Sequence, residues 1–126
     1  MSAIRRAIPV VHTDDREGTR AFYVDLLGFR VAMDQGGMVM LVSPTVPTTQ
    51  VIIAWETEDA SDPHVLRVNM SVEVADVDAA HAAALERGLD IVYPLTDEPW
   101  GIRRFFVREP SGTVVNVASH VADLAR

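Results

Sequence analysis

The chain contains no cysteine. Disulfides, thiolate metal ligands and a cysteine nucleophile are thereby excluded together. It contains no lysine either, and all 11 basic residues are arginine. A Schiff-base lysine and the lysine of a phosphate-binding loop are therefore absent. No apolar run approaches the roughly 18 residues that a membrane-spanning helix needs. The start, Met1-Ser2-Ala3-Ile4-Arg5-Arg6, is not followed by the apolar stretch of a secretory signal. Nothing here requires an oxidising compartment, so the cytoplasm is the expected location. Basic residues are also short relative to the 18 acidic ones, which leaves a net charge of −7. Binding to a phosphate backbone or an anionic membrane is not expected. Such a surface either attracts a cationic small molecule or simply keeps the protein in solution.

What is present is ordinary globular composition: 48% hydrophobic and 23% charged over 126 residues. That length fits one domain, or two small repeats sharing a core. Arg6 to Thr13 reads as a strand, with Pro9 marking a position that pairs on one side only. Asp14, with Glu17 three residues on, opens a helix in the manner of a capping box. Phe22, Tyr23, Leu26 and Leu27 supply its apolar stripe, and Gly28 stands where a left-handed C-cap is wanted. The helix is expected over 15–27. Phe29 to Gln35, Met38 to Ser43 and Gln50 to Trp55 read as strands, the first two joined at Gly36-Gly37. Residues 56–64 are polar and acidic and read as a solvated linker.

The pattern then begins again. Leu66, Val68, Met70, Val72 and Val74 alternate with Arg67, Asn69, Ser71 and Glu73, a strand with one apolar and one polar face. Asp76 opens a second helix expected over 77–87, with Val77, Ala80, His81, Ala84 and Leu85 inward, and Gly88 closes it. Leu89 to Tyr93, Ile102 to Arg108 and Thr113 to Ser119 are three further strands. Glu109-Pro110-Ser111-Gly112 turns between the last two. Val121 to Arg126 reads as a short helical turn. The chain is thus an internal repeat of β-α-β-β-β, module 1 over 4–55 and module 2 over 65–120. The fold class is α+β, two tandem βαβββ modules whose curved mixed sheets surround a cleft, the kind of concavity in which small ligands bind.

Several of these segments carry a family pattern. Phe22-Tyr23-Val24-Asp25-Leu26-Leu27-Gly28-Phe29 resembles the helix–strand junction of the vicinal oxygen chelate superfamily, which holds glyoxalase I, the bleomycin-resistance proteins and the extradiol dioxygenases. Val72 to Ala79, Pro99 to Phe105, and Arg108 to Gly112 resemble its second module, in the family's order. The resemblance covers about Ile8 to Ser119. It implies paired βαβββ modules, usually in a homodimer with clefts at or near the interface. It also implies one divalent cation held by imidazole, amide or carboxylate side chains. Carried over one at a time, those ligand positions fall on Ile8, Asn69 and Asn116. Isoleucine cannot ligate, and asparagine offers only a neutral amide oxygen, where catalytic sites use imidazole or carboxylate. No metal or other cofactor is therefore expected.

What is left for chemistry is the lining of the cleft. Asn69 and Asn116 either hydrogen-bond a neutral polar ligand or satisfy one another and the backbone. Trp100, in a loop, reads as an aromatic wall. Phe105 and Phe106 point to opposite faces, so one alone can join it; Phe105 is taken as that one. Arg67 and Glu73 either bracket a ligand or form a surface pair worth under about 1 kcal/mol. Ser71 shares their face, and His12 either faces the cleft or is an exposed strand end. Ser71, His12 and Glu73 could be drawn as a triad, but no strained nucleophile turn surrounds Ser71. His64, His81 and His120 read as solvated, packed on a helix and terminal. The expected ligand site is Asn69, Asn116, Trp100, Arg67, Ser71, His12 and Phe105, with no catalytic residue. The expected function is metal-independent capture of an aromatic, amphipathic antibiotic or metabolite in a homodimer, as in bleomycin-resistance proteins. The alternative is a glyoxalase- or dioxygenase-like enzyme with an atypical site.

Overall fold

The computed structural model describes residues 3–124. Its elements in chain order are β1 (Ile4–His12), α1 (Arg16–Ala21), β2 (Arg30–Gln35), β3 (Met38–Val42), β4 (Gln50–Ala54), β5 (Met70–Val74), α2 (Val77–Glu86), β6 (Asp90–Asp97), β7 (Ile102–Arg108), β8 (Val114–His120) and α3 (Val121–Leu124). The fold is α+β, with two βαβββ modules and mixed sheets, as the repeat implied. Among the described residues no helix is long and apolar enough to cross a membrane. The described residues divide into two compact units, one over Ile8–Arg67 and the other comprising 3–7 and 68–124.

In the first unit the strands run β2-β3-β4-β1, antiparallel except for the parallel β4–β1 pair. Val39, Leu41, Val51 and Ile53 form its helix-side core, against which Val11, Tyr23, Val24, Phe29 and Trp55 pack. The helix above it departs from expectation in two ways. Asp15, not Asp14, is the N-cap, its carboxylate accepting from the Gly18 N–H at 3.0 Å. Phe22–Leu26 then widens into one π-helical turn, with the Leu27 N–H donating to the Phe22 carbonyl at 3.2 Å. The extra residue rotates the stripe. Tyr23 and Val24 reach the core, while Phe22, Leu26 and Leu27 stay exposed. Gly28, at φ +91°, ends the turn as expected, its N–H and that of Phe29 capping the Val24 and Tyr23 carbonyls. Residues 56–64 are not free of the unit. The Ser61 N–H donates to the Gly36 carbonyl at 2.8 Å, and a Cβ on Gly36 would lie 2.1 Å from the Asp59 oxygen.

In the second unit the order is β6-β7-β8-β5, with β5 and β8 parallel. Here Val74, Val77, Ala84, Phe105 and Val107 are the buried core, joined by Val72, Ala80, Val115 and Val117. Asp76 caps α2 through the Ala79 N–H at 3.1 Å, and Gly88 closes it at φ +67°. Leu85, expected inward, is exposed. β6 runs on through Pro94 to Asp97, which an edge strand with shifted register permits. β5 is shorter than the alternation suggested: Val65–Arg67 is a 3-10 turn, and the strand starts at Met70. α3 occupies the expected C-terminal turn as far as Leu124; Ala125 and Arg126 lie outside the described residues.

Ser119 ties this unit together. Its buried hydroxyl accepts from the Val77 N–H at 3.0 Å and donates to the Val74 carbonyl at 2.7 Å. It therefore serves an otherwise uncapped amide in the first turn of α2 and the end of β5 at once. Ser119→Ala leaves both groups buried and unsatisfied, and should cost about 2 kcal/mol in urea denaturation.

Candidate functional site

The register of the second unit decides which side chains share a surface. Ser71 pairs with Asn116, Asn116 with Phe106, and Phe106 with Tyr93. In the next row Glu73 pairs with Ala118, and Ala118 with Arg104. Residues in register point to the same side of a sheet. These rows therefore form one face, and Val72, Val74, Phe105 and Val107 form the other, beneath α2. Phe105 is thus a core residue, 1% exposed, with its ring 4.9 Å from His81. The expectation that it lines the ligand surface is corrected; Phe106, on the opposite face, is buried as well.

At the centre of the face the Asn116 Nδ2 donates to the Ser71 hydroxyl at 3.1 Å. The Asn116 Oδ1 is buried and has no hydrogen-bond partner. Rotating the amide only exchanges which of its two polar atoms lacks a partner. An orphaned carboxamide oxygen costs about 1–3 kcal/mol, which a ligand N–H or O–H would recover. Beside it the Glu73 carboxylate, 15% exposed, accepts from Arg6 Nε at 2.6 Å and lies 3.7 Å from His120 Nε2. Between Glu73 and Arg104 the register places only Ala118, so the floor there is one methyl group deep.

Arg104 is buried, and Glu98 accepts from its Nη2 at 2.5 Å. The Tyr93 hydroxyl donates to the same Glu98 oxygen at 3.1 Å. The guanidinium carbon lies 5.0, 5.2 and 5.6 Å from the ring centres of Phe106, Trp100 and Tyr93. This is a desolvated cation–π cluster closed by a carboxylate. Trp100, 48% exposed, projects from the tight turn between β6 and β7, which Gly101 makes at φ +86° with its N–H on the Glu98 carbonyl at 3.1 Å. Arg103 points to the helix side, to Asp97 at 2.6 Å and Asp78 at 2.9 Å. Its hydrogen bond holds the Asp97 carboxyl below the usual carboxylate range, and the two aspartates raise the Arg103 guanidinium in turn.

The structure thus brings Ser71 and Asn116 together and sets Trp100 against Arg104 on the next strand. Asn69 precedes β5. Its backbone N–H donates to the Val114 carbonyl and its Oδ1 accepts from the Val114 N–H, so the amide serves the start of β8. Arg67 is off the strand, in the 3-10 turn, with Nη1 3.2 Å from His64 Nδ1. The expected Arg67–Glu73 pairing on β5 is corrected accordingly: Glu73 is held by Arg6. His12, at the end of β1, borders a separate open depression of about 960 Å³ in the first unit, with Asp14, Arg16, Trp55, Glu56 and Leu66.

The divalent cation implied by the ligand positions does not fit these residues. Ile8 is apolar and 4% exposed, Asn69 is committed to the backbone, and Asn116 has one neutral oxygen. Among the described residues no three His, Asp or Glu side chains come together as a metal group. Sequence reasoning missed Glu98 and Tyr93 as parts of this face. The Phe106 parity could have found Tyr93's neighbourhood, but only the turn geometry brings Glu98 back to Arg104.

The sequence pattern of the Glyoxalase/Bleomycin resistance protein/Dioxygenase superfamily matches residues 8–117. No curated protein sequence matches. Among solved structures, a member of that superfamily from Vibrio splendidus 12B01 has TM-score 0.70 at 18% identity, covering 93% of this chain and 99% of its own. Methylmalonyl-CoA epimerase from Mycobacterium tuberculosis has TM-score 0.66 at 19% identity, with 97% and 90% covered. Homoprotocatechuate 2,3-dioxygenase from Brevibacterium fuscum has TM-score 0.68 at 22% identity, over 94% of this chain and 37% of the longer one. At these identities the likeness is one of fold.

The buried pair makes a sharp prediction. Glu98→Ala leaves the Arg104 charge desolvated without its carboxylate and should cost about 3 kcal/mol. The double variant Glu98→Leu/Arg104→Met removes both charges and should recover most of that loss in the same denaturation experiment.

Proposed function

Since the chain belongs to the vicinal oxygen chelate (glyoxalase/bleomycin resistance protein/dioxygenase) superfamily, we propose that it is a metal-independent small-molecule binding protein of that superfamily. The observation that carries this reading is the donor set. Where a cation would need imidazole or carboxylate there are Ile8, Asn69 and Asn116, and the Asn116 Oδ1 is left seeking a hydrogen-bond donor. The ligand surface is the Ser71–Asn116 amide floor with the Trp100 indole as its aromatic side. Such a surface suits an amphipathic, partly aromatic molecule carrying an N–H or O–H, an antibiotic or a metabolite. The mechanism is stoichiometric capture in the cytoplasm, with no bond made or broken. The protein acts as a homodimer, and light scattering should return twice the chain mass of 13.8 kDa.

The reading is tested by titrating the intrinsic tryptophan fluorescence with a panel of aromatic antibiotics and matched anionic compounds, with and without EDTA. Binding should be unchanged by the chelator. Trp100→Ala should weaken the best ligand about tenfold, near 1.4 kcal/mol, through lost stacking. Affinity that vanishes with EDTA, or that ignores both Trp100→Ala and Asn116→Ala, refutes the proposal.

A further inference from the structure

The first unit holds an arrangement that the amide face of the second does not explain. Trp55 follows β4, and its indole is half-buried, with the helix-side core packed against it. The guanidinium carbon of Arg16 lies 5.3 Å from the ring centre. Arg16 and Trp55 are the common wall of two depressions. One is the open 960 Å³ hollow bordered by Asp14 and Glu56; the other, of about 220 Å³, reaches Val39 and Ile53. Arg16 is exposed and forms no salt bridge among the described residues, although two carboxylates line the same hollow. Among the described residues neither Asp14 nor Glu56 is in an ion pair. Of the neighbouring acids, Asp15 accepts from the Gly18 N–H and Asp34 from Arg20 at 3.2 Å, and Glu17 lines the smaller hollow. The hollow therefore contains an indole face that already receives a cation, and two carboxylates without an ion-paired cation among the described residues.

We propose that this hollow is a binding site for an organic cation: an amine, quaternary ammonium or guanidinium on a drug-sized apolar body. The charged head takes the place over Trp55 now held by Arg16. Arg16 is suited to being displaced because it is exposed and, among the described residues, held by the ring alone, an attraction weak in water. Moving it joins the two hollows and gives the apolar body access to Val39 and Ile53. Asp14 and Glu56 then supply the counter-charge, which favours cations over neutral molecules of the same shape. The site uses no residue of the Ser71–Asn116 face, so the two stand or fall separately.

The experiment follows the Trp55 indole N–H signal by NMR in 15N-labelled protein, assigned by its persistence in Trp100→Phe. The probes are choline and its uncharged carbon isostere, dimethylbutanol. Choline should shift the Trp55 signal saturably, and the isostere should bind about fivefold or more weakly, the ratio expected of a cation on an indole. Arg16→Gln should tighten choline about threefold by removing the internal competitor, and Asp14→Asn/Glu56→Gln should weaken it by a similar factor. The proposal is overturned if choline leaves the signal in place up to about 100 mM, if the isostere binds equally well, or if Arg16→Gln fails to tighten binding. Loss of antibiotic binding at Trp100 would leave all of these results standing, and the converse also holds.

Discussion

Phe105 must lie under α2, and most of the second unit's surface chemistry follows from that. A strand residue on the core side forces its neighbours in sequence to the opposite side and its partners in register to the same side. With Phe105 paired to Val117, and Val117 to Val72, three strands commit their valines and phenylalanine to the helix. Ser71, Glu73, Asn116, Ala118, Arg104 and Phe106 then have no choice of face. A slip of one residue would bury two charges under α2 and expose the valines, so the hydrophobic side specifies the polar one.

Having been assigned that face, the charges need partners there. A guanidinium as buried as Arg104 carries a desolvation cost that Coulomb attraction offsets only with good geometry. The answer here is local. The turn at Gly101 folds the chain back so that Glu98 and Trp100 reach Arg104 from the adjacent strand's end, and the Tyr93 hydroxyl donates to the same carboxylate oxygen. The same turn that satisfies the charge also sets Trp100 at the surface. Packing, charge pairing and the aromatic side of the proposed ligand surface are therefore one arrangement, and none can be altered alone.

Elements with two independent signals were legible from sequence. Asp76 and Gly88 bound α2, and Gly28 ends the first helix because its backbone takes a φ that side-chain-bearing residues avoid. Elements with one signal were not. Asp14 and Asp15 are chemically equal as N-caps, and the choice between them depends on which backbone turns first. Leu66 and Val68 continue the alternation of β5, yet sit in and after a 3-10 turn, because a period of two over so few residues occurs by chance outside strands. The π-helical turn at Phe22–Leu26 is invisible to a 3.6-residue template, and it moved Leu26 and Leu27 from the stripe to the surface. Of the expected ligand residues, the shared face of Ser71 and Asn116 followed from alternation within their strands. Phe105 was misassigned because parity within β7 leaves the choice of face open until α2 is placed.

The chain's lack of lysine links these local solutions. An ammonium is a strongly hydrated point charge, whereas a guanidinium is flat, weakly hydrated and able to stack or bind through several N–H groups. Arg103 uses that geometry to hold Asp78 and Asp97 together, Arg104 to lie among three rings, and Arg16 to cover an indole. The two stacked arginines differ in what surrounds them. Arg104 is enclosed and ion-paired, so removing it from its rings would strand Glu98. Arg16 is exposed and, among the described residues, bound to its ring alone, so exchange with another cation leaves no buried charge behind. Equal stacking distances thus have unequal consequences, and desolvation rather than contact geometry separates a structural cation from a replaceable one.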